Sequence, residues 1–312
     1  TGPNAAEWLA QVMANRVPAI GRMVLSPMLN DAGRLIGDFT IARLSEERFF
    51  VVGTYAAEVF YMRWFERSLP PAGVTVRPCA MEYTGLSVAG PNARALLQSL
   101  VVDDLSTQAF PFMSFKKLDV GMVPALVGRV SFTGDIGYEM WVTSDYQRAL
   151  YDLLVQAGAK FELKHLGGRA LNSLRLEKSF GTWAREYRPI YGPYEAGLGR
   201  FVDLKKPEFI GRAAAEAEKA SGGVRRLITL DVDANDADAI GDEPIYHAGK
   251  VVGWVTSGGY GHSVGKSLAM GYVNNDVADH TTDFAVELMG EVRGAVRLAE
   301  PAFDPSGARM RT

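Results

Sequence analysis

Two carboxylates stand where strand patterns ought to carry apolar residues. Asp38 lies in "GRLIGDFTIARL" between Ile36 and Thr40, at an inward position of the alternation. Glu139 closes "FTGDIGYE" and is followed by Met140 and Trp141. An acid so placed either points at water from an edge strand or is held in a cleft. In a cleft, limited solvation tunes its pKa for proton transfer or hydrogen bonding. Arg175, in "LNSLRLEKS", shares a helical pattern with Leu171 and Leu174, and Phe180 follows the helix. It can pair with Glu177 or Glu139, or clamp a planar polar ligand. Trp183 and Tyr187 follow closely and can wall such a ligand, although core packing is the commoner role for both. Asp135, between Gly134 and Gly137, is expected at the solvated tip of a hairpin. Taken alone, these residues name no reaction.

Other chemistries find little support. "GGYGHSVGKS" at 258–267 has the ending of a phosphate loop, but Tyr260 holds the first glycine position and no helix follows. A glycine-rich hairpin is the better reading. The four histidines (165, 247, 262 and 280) are scattered, and Cys79 is the only cysteine, so a metal site is not expected. His262 reads as an ordinary surface or hydrogen-bonding residue. A single cysteine also excludes an internal disulfide and fits a reducing compartment, read here as cytoplasmic. The net charge of −3 gives no general attraction to nucleic acid or to an anionic membrane. No apolar run approaches the roughly 20 residues of a membrane span.

The elements that must position the two acids show an internal repeat. Thr1-Gly2-Pro3-Asn4-Ala5 opens an apolar-periodic helix, with Pro3 expected just inside its start, and Ala89-Gly90-Pro91-Asn92-Ala93 opens another. A strand-like "GLSVAG" leads into the second copy, and nothing leads into the first, which begins one strand too late. Strand-to-helix steps follow at 48–52 into 55–68 and at "YEMWV" into 145–157, the latter capped by Ser144 or Asp145. Hairpins lie between them, around Ala32-Gly33 and within "PALVGRVSFTGDIGYEMWV". The pattern predicts two ferredoxin-like, split-βαβ lobes. Helices at about 168–178 and 211–220 come next, and "SGG" at 221–223 marks a linker. Short strands after it predict a small β-barrel. The fold class is thus α+β, divided into 1–220 and 221–312.

Read together, "MLNDAGRLIGDFTIARL", "FTGDIGYE", "LNSLRLEKSFGTWAREYRPIYGPYEAGL", "FIGR" and "TSGGYGHSVGKSLAMGYV" resemble the aminomethyltransferase family typified by the glycine-cleavage T-protein. The likeness runs from Thr1 to about Glu300. "RLEKSFGTW" with "GPYEAGL" is closer to the C-terminal region of dimethylglycine and sarcosine dehydrogenases. The resemblance implies a three-lobed ring with tetrahydrofolate in its central funnel and an opening strand ahead of Thr1. It implies that Asp38 lies near the folate nitrogen that accepts a one-carbon unit. It further implies that Glu139 and Arg175 hydrogen-bond the pterin, and that Trp183 packs beside it. Phe132 departs from the family's usual Tyr, which puts in doubt any role resting on that hydroxyl.

The function so implied is transfer of a one-carbon unit from an N-methylated amine to tetrahydrofolate, giving 5,10-methylenetetrahydrofolate. The one-carbon donor is a small molecule. The chain has no dinucleotide fingerprint, so FAD, if used, belongs to a separate catalytic domain or subunit. Two alternatives stand beside this. One is a flavin-independent demethylase or aminomethyltransferase, including the folate domain of a trimethylamine-oxide demethylase. The other is a non-catalytic folate-binding accessory protein. Such proteins carry a K-G-C-Y-x-G-Q-E block, and "EKSFGTWAREYRP" here has no cysteine, which argues against it.

Overall fold

Alternating apolar residues build two helix-covered sheets in succession. The computed structural model describes residues 1–70 and 72–312. The first lobe runs α1 (Ala5–Val12), β1 (Met23–Leu29), β2 (Leu35–Arg43), β3 (Phe49–Val52) and α2 (Glu58–Ser68). Its strands form an antiparallel sheet in the order β1-β2-β3. Phe39 and Ile41 of β2 bury under the helices with Trp8, Val12, Tyr61 and Phe65. Full burial of each such side chain contributes roughly 1.5–3 kcal/mol.

The second lobe repeats the plan with one strand more. It comprises β4 (Tyr83–Ala89), α3 (Ala93–Gln98), β5 (Phe115–Val120), β6 (Val123–Gly128), β7 (Gly137–Thr143) and α4 (Gln147–Gly158). Its order is β4-β7-β6-β5, antiparallel throughout. Each lobe thus layers two helices on one sheet, as expected. The connectivity differs from a split βαβ unit: three consecutive strands form a meander, and in the second lobe its last strand, β7, comes to lie beside β4.

The chain continues through α5 (Gly168–Glu177), a long irregular stretch and α6 (Arg212–Ser221). Gly222, at φ 80°, ends α6 in the left-handed region that favours glycine. Then come β8 (Arg225–Val232), β9 (Pro244–His247), β10 (Lys250–Gly261), β11 (Lys266–Asn274), β12 (Phe284–Leu288), β13 (Glu291–Leu298) and α7 (Ala308–Arg311). The six strands close into a barrel, β10-β11-β8-β13-β12-β9, around Ile228, Leu230, Val255, Val273 and Phe284. Residues 258–267 form the β10–β11 hairpin that the sequence predicts. Among the described residues no helix is long and apolar enough to cross a membrane.

Local expectations need three corrections. Pro3 and Pro91 precede the N-caps Asn4 and Asn92, so they lie outside the helices rather than just inside. Neither Ser144 nor Asp145 caps α4, because a 3-10 turn, Ser144–Tyr146, leads into it. Asp145 instead accepts a hydrogen bond from the Thr143 hydroxyl at 2.5 Å. Asp135 is not left to water: its side chain is 23% exposed and pairs with Arg309 at 3.3 Å.

Candidate functional site

The faces of β2 and β7 decide where the two acids point. Side chains alternate across a strand, so with Phe39 and Ile41 under the helices, Asp38, Thr40 and Ala42 share the opposite face. On β7, Tyr138, Met140 and Val142 pack beneath α3 and α4, which turns Glu139 and Trp141 the other way. Ala42 and Trp141 meet in one cluster with Met23, Phe115 and Leu126. The two sheets therefore confront each other, and Asp38 and Glu139 lie on the confronting faces.

Both carboxyls are partly buried and poorly partnered. Burial raises Asp38 to about 7, against the partial relief of a hydrogen bond from its own amide, and the nearby Glu186 carboxylate adds to the rise. Burial alone raises Glu139 to about 7. Among the described residues, no other side chain hydrogen-bonds either group. Such carboxyls are poised to exchange a proton near neutrality or to accept a donor from a ligand.

Residues 178–187, just after α5, contact both lobes. The Trp183 indole donates to the Ile36 carbonyl at 3.0 Å, and its ring lies 6.0 Å from those of Phe60 and Tyr61. The Tyr187 hydroxyl accepts the Gly181 N–H at 3.1 Å. Burial raises the pKa of this phenol, and Asp38 raises it further, so it stays neutral. Phe132 stacks on Phe180 with centroids 5.8 Å apart. Gly134, at φ 90°, lets the preceding turn run against Lys178, where a Cβ would come within 2.6 Å of that side chain. The same short segment thus touches the first lobe through Trp183 and the second through Phe180.

Arg175 stands differently from a free clamp. It is 3% exposed, and protein acceptors take up its guanidinium. Asn172 Oδ1 accepts from Nε at 3.0 Å and from Nη2 at 2.8 Å, and the Phe180 carbonyl accepts from Nη1 at 2.9 Å. Its ion-pair partner is neither Glu177 nor Glu139 but Glu186, at 3.2 Å. Glu186 is fully buried and also accepts from Thr182 N–H at 2.8 Å and from the Thr256 and Ser257 hydroxyls at 2.6 Å each. Those hydroxyls belong to β10, so this knot fastens the segment to the barrel. Sequence reasoning missed Glu186. Its signal is a lone acid between Trp183 and Tyr187 in a stretch otherwise rich in aromatic residues, Gly and Pro.

Comparison with known proteins assigns the chain to a family. The profile of the GCVT N-terminal domain matches residues 1–206, and that of the glycine cleavage T-protein C-terminal barrel domain matches 225–304. The chain belongs to the glycine cleavage T-protein family. Among curated members, mitochondrial dimethylglycine dehydrogenase of Homo sapiens is 37% identical over 313 residues, covering 99% of this chain and 36% of that protein. Mitochondrial sarcosine dehydrogenase of Homo sapiens is 30% identical over 330 residues, covering 98% and 36% respectively. The chain thus spans about a third of the length of these relatives. The crystal structure of glycine cleavage system aminomethyltransferase T from Bartonella henselae shares the fold at a TM-score of 0.85 and 24% identity, covering 97% of this chain and 82% of that one. This is an aminomethyltransferase-type domain, related to demethylating dehydrogenases.

Proposed function

We propose that this domain binds tetrahydrofolate between the confronting sheets and accepts a one-carbon unit on it. The unit arrives as an iminium or formaldehyde derived from an N-methylated amine such as dimethylglycine or sarcosine, and 5,10-methylenetetrahydrofolate results. The observation that carries this reading is the pair Asp38 and Glu139. They are two under-partnered carboxyls on facing walls, bordered by aromatic rings.

The donor set fits the ligand. A pterin edge offers N–H donors in a plane, which the Glu139 carboxylate can accept in bidentate fashion. In this reading Trp183, Phe132 and Tyr187 supply aromatic faces against which a flat ring would pack. Tetrahydrofolate supplies the amines that take up the carbon. Asp38 orients such an amine, stabilises the passing cation and accepts the released proton. Arg175 acts indirectly in this scheme. Through Glu186 and the Phe180 carbonyl it fixes the segment that carries the aromatic wall.

Oxidation of the amine needs an electron acceptor, assigned here to a flavin on a separate domain or subunit. The relatives' greater length supports that division. Compartment follows the protein that carries the domain. The free thiol of Cys79 suits a reducing interior, cytoplasmic as the sequence reads or mitochondrial as in the human relatives.

Calorimetric titration with tetrahydrofolate tests the site. Glu139→Ala is expected to weaken binding about tenfold to a hundredfold, the loss of one charge-assisted hydrogen-bonded pair. Unchanged affinity in that variant removes Glu139 from the site.

A further inference from the structure

Two histidines 33 positions apart meet at one end of the barrel. His247 ends β9, where its backbone pairs with Lys250 on one side and with Phe284 of β12 on the other. It shares a strand face with Ile245 of the barrel core, and the Phe284 ring flanks it at 4.9 Å. His280 lies in the connection between β11 and β12, and its N–H donates to the Val277 carbonyl at 3.0 Å. Two further bonds hold that connection down. Ala248 N–H donates to the Asp283 carbonyl and Arg297 N–H to the Thr281 carbonyl, each at 3.0 Å. Both imidazoles thus stand on anchored backbone. Nδ1 of His280 comes within 2.8 Å of Nε2 of His247, on the solvent side of the barrel end.

An in-line hydrogen bond does not describe this pair. The ring centroids are only 4.6 Å apart, with planes inclined at 43°. Rings joined end to end across a 2.8 Å bond would hold their centroids farther apart, so at least one nitrogen aims off the line between the two. Imidazoles that converge on one metal take such a bend. Nitrogens about 2.0–2.1 Å from a metal stand roughly 2.9 Å apart at a right angle and roughly 3.3 Å apart in a tetrahedron. The observed separation fits the right angle, which belongs to tetragonal Cu(II) and Ni(II). Opening the pair to a metal costs no net proton. In the neutral pair the shared proton moves to the outer nitrogen of the ring that holds it.

We propose that His247 and His280 form a two-imidazole site for a divalent transition metal of the copper or nickel kind. The adjacent Asp279 is engaged by Arg226 at 2.6 Å, and among the described residues no set of three metal-ligating side chains forms, so water completes the coordination. Nitrogen ligands disfavour magnesium and calcium, which take oxygen. The sequence gives no ligand spacing for this site. Closure of the barrel is what brings the end of β9 to the β11–β12 connection. A metal held there cross-links the two connections over Phe284.

Calorimetric titration of the untagged 312-residue chain with nickel tests the site. One equivalent is expected to bind, and magnesium is expected to give no heat. His247→Gln and His280→Gln should each weaken nickel binding at least about a hundredfold, because the remaining imidazole loses its linked partner. His280 is exposed, so its replacement leaves the fold intact. His165→Gln, in the loop after α4, should leave nickel binding unchanged. With copper, electron paramagnetic resonance should show two nitrogen ligands in the unaltered chain and one in either variant of the pair. Absence of binding at millimolar nickel overturns the inference and leaves a plain hydrogen bond. Binding that survives His247→Gln or His280→Gln overturns it too, as does binding lost in His165→Gln. No folate binding or transfer is read in these measurements, so their outcome is independent of the function proposed above.

Discussion

A carboxyl held near pKa 7 serves chemistry at a cost in stability. Asp38 and Glu139 both sit well above the ordinary carboxylate range, at about 7. For a raised acid the folded state binds more protons than the unfolded one. Stability therefore falls as pH rises from about 4 to about 7, and the penalty is complete above that. Asp38→Asn keeps the shape and removes the charge. It is expected to stabilise the fold at pH 8 by on the order of 2 kcal/mol after allowance for solvent access, and so to raise the thermal midpoint there. The gain narrows as pH falls and closes below about pH 4, where the wild-type acid is neutral in both states. The same substitution should lower one-carbon transfer about 10²–10⁴-fold, the usual worth of a positioned acid or base. Melting curves from pH 4 to 8 beside an assay of transfer check both halves. A midpoint that does not move at pH 8 refutes the burial argument.

At the scale of elements, legibility follows from how local each cause is. Asp38 and Glu139 stand out because strand alternation is a period-two signal within a few residues. The β10–β11 hairpin and the closed barrel are legible for the same reason. Arg175's partner is not, because Glu186 lies beyond the helix, in a loop whose path is set by Thr256 and Ser257 on a distant strand. The start of α4 and the order of the strands also escape local reading, since tertiary packing selects among turns of similar cost. Glycines divide the same way. Gly253 sits where β9 and β10 shift register, and a Cβ there would lie 1.8 Å from the Tyr272 carbonyl oxygen. Gly294 on β13 has nothing within 4 Å of such a Cβ. Gly253→Ala is expected to destabilise by about 1–3 kcal/mol through overpacking, and Gly294→Ala to be neutral or mildly stabilising. Denaturant midpoints of the two variants make the comparison, and equal values would contradict it.

Across the whole molecule, the last residues tie barrel to second lobe. Lys178 reaches Asp304 at 3.7 Å, Arg309 reaches Asp135 at 3.3 Å, and Arg94 and Arg129 both donate to the Thr312 carbonyl. Phe303 N–H donates to the Glu177 carbonyl at 2.9 Å, and Met310 is buried. Removing residues 303–312 should leave the barrel strands protected in hydrogen exchange while exposing the turn at 131–136. Uniform loss of protection would show instead that the tail holds the barrel as well. α5 and its following segment also pack against β10 and β11, so contacts cross the proposed boundary at 220/221.

The segment 178–187 carries one more consequence. It is fastened to the first lobe at Ile36, to the second at Phe132, and to the barrel at Thr256 and Ser257. Substitutions that loosen different fastenings act on one shared piece of backbone. Their energies will not add, even though the altered side chains stand on separate lobes and never touch. In this fold, distance between residues is a poor guide to their independence.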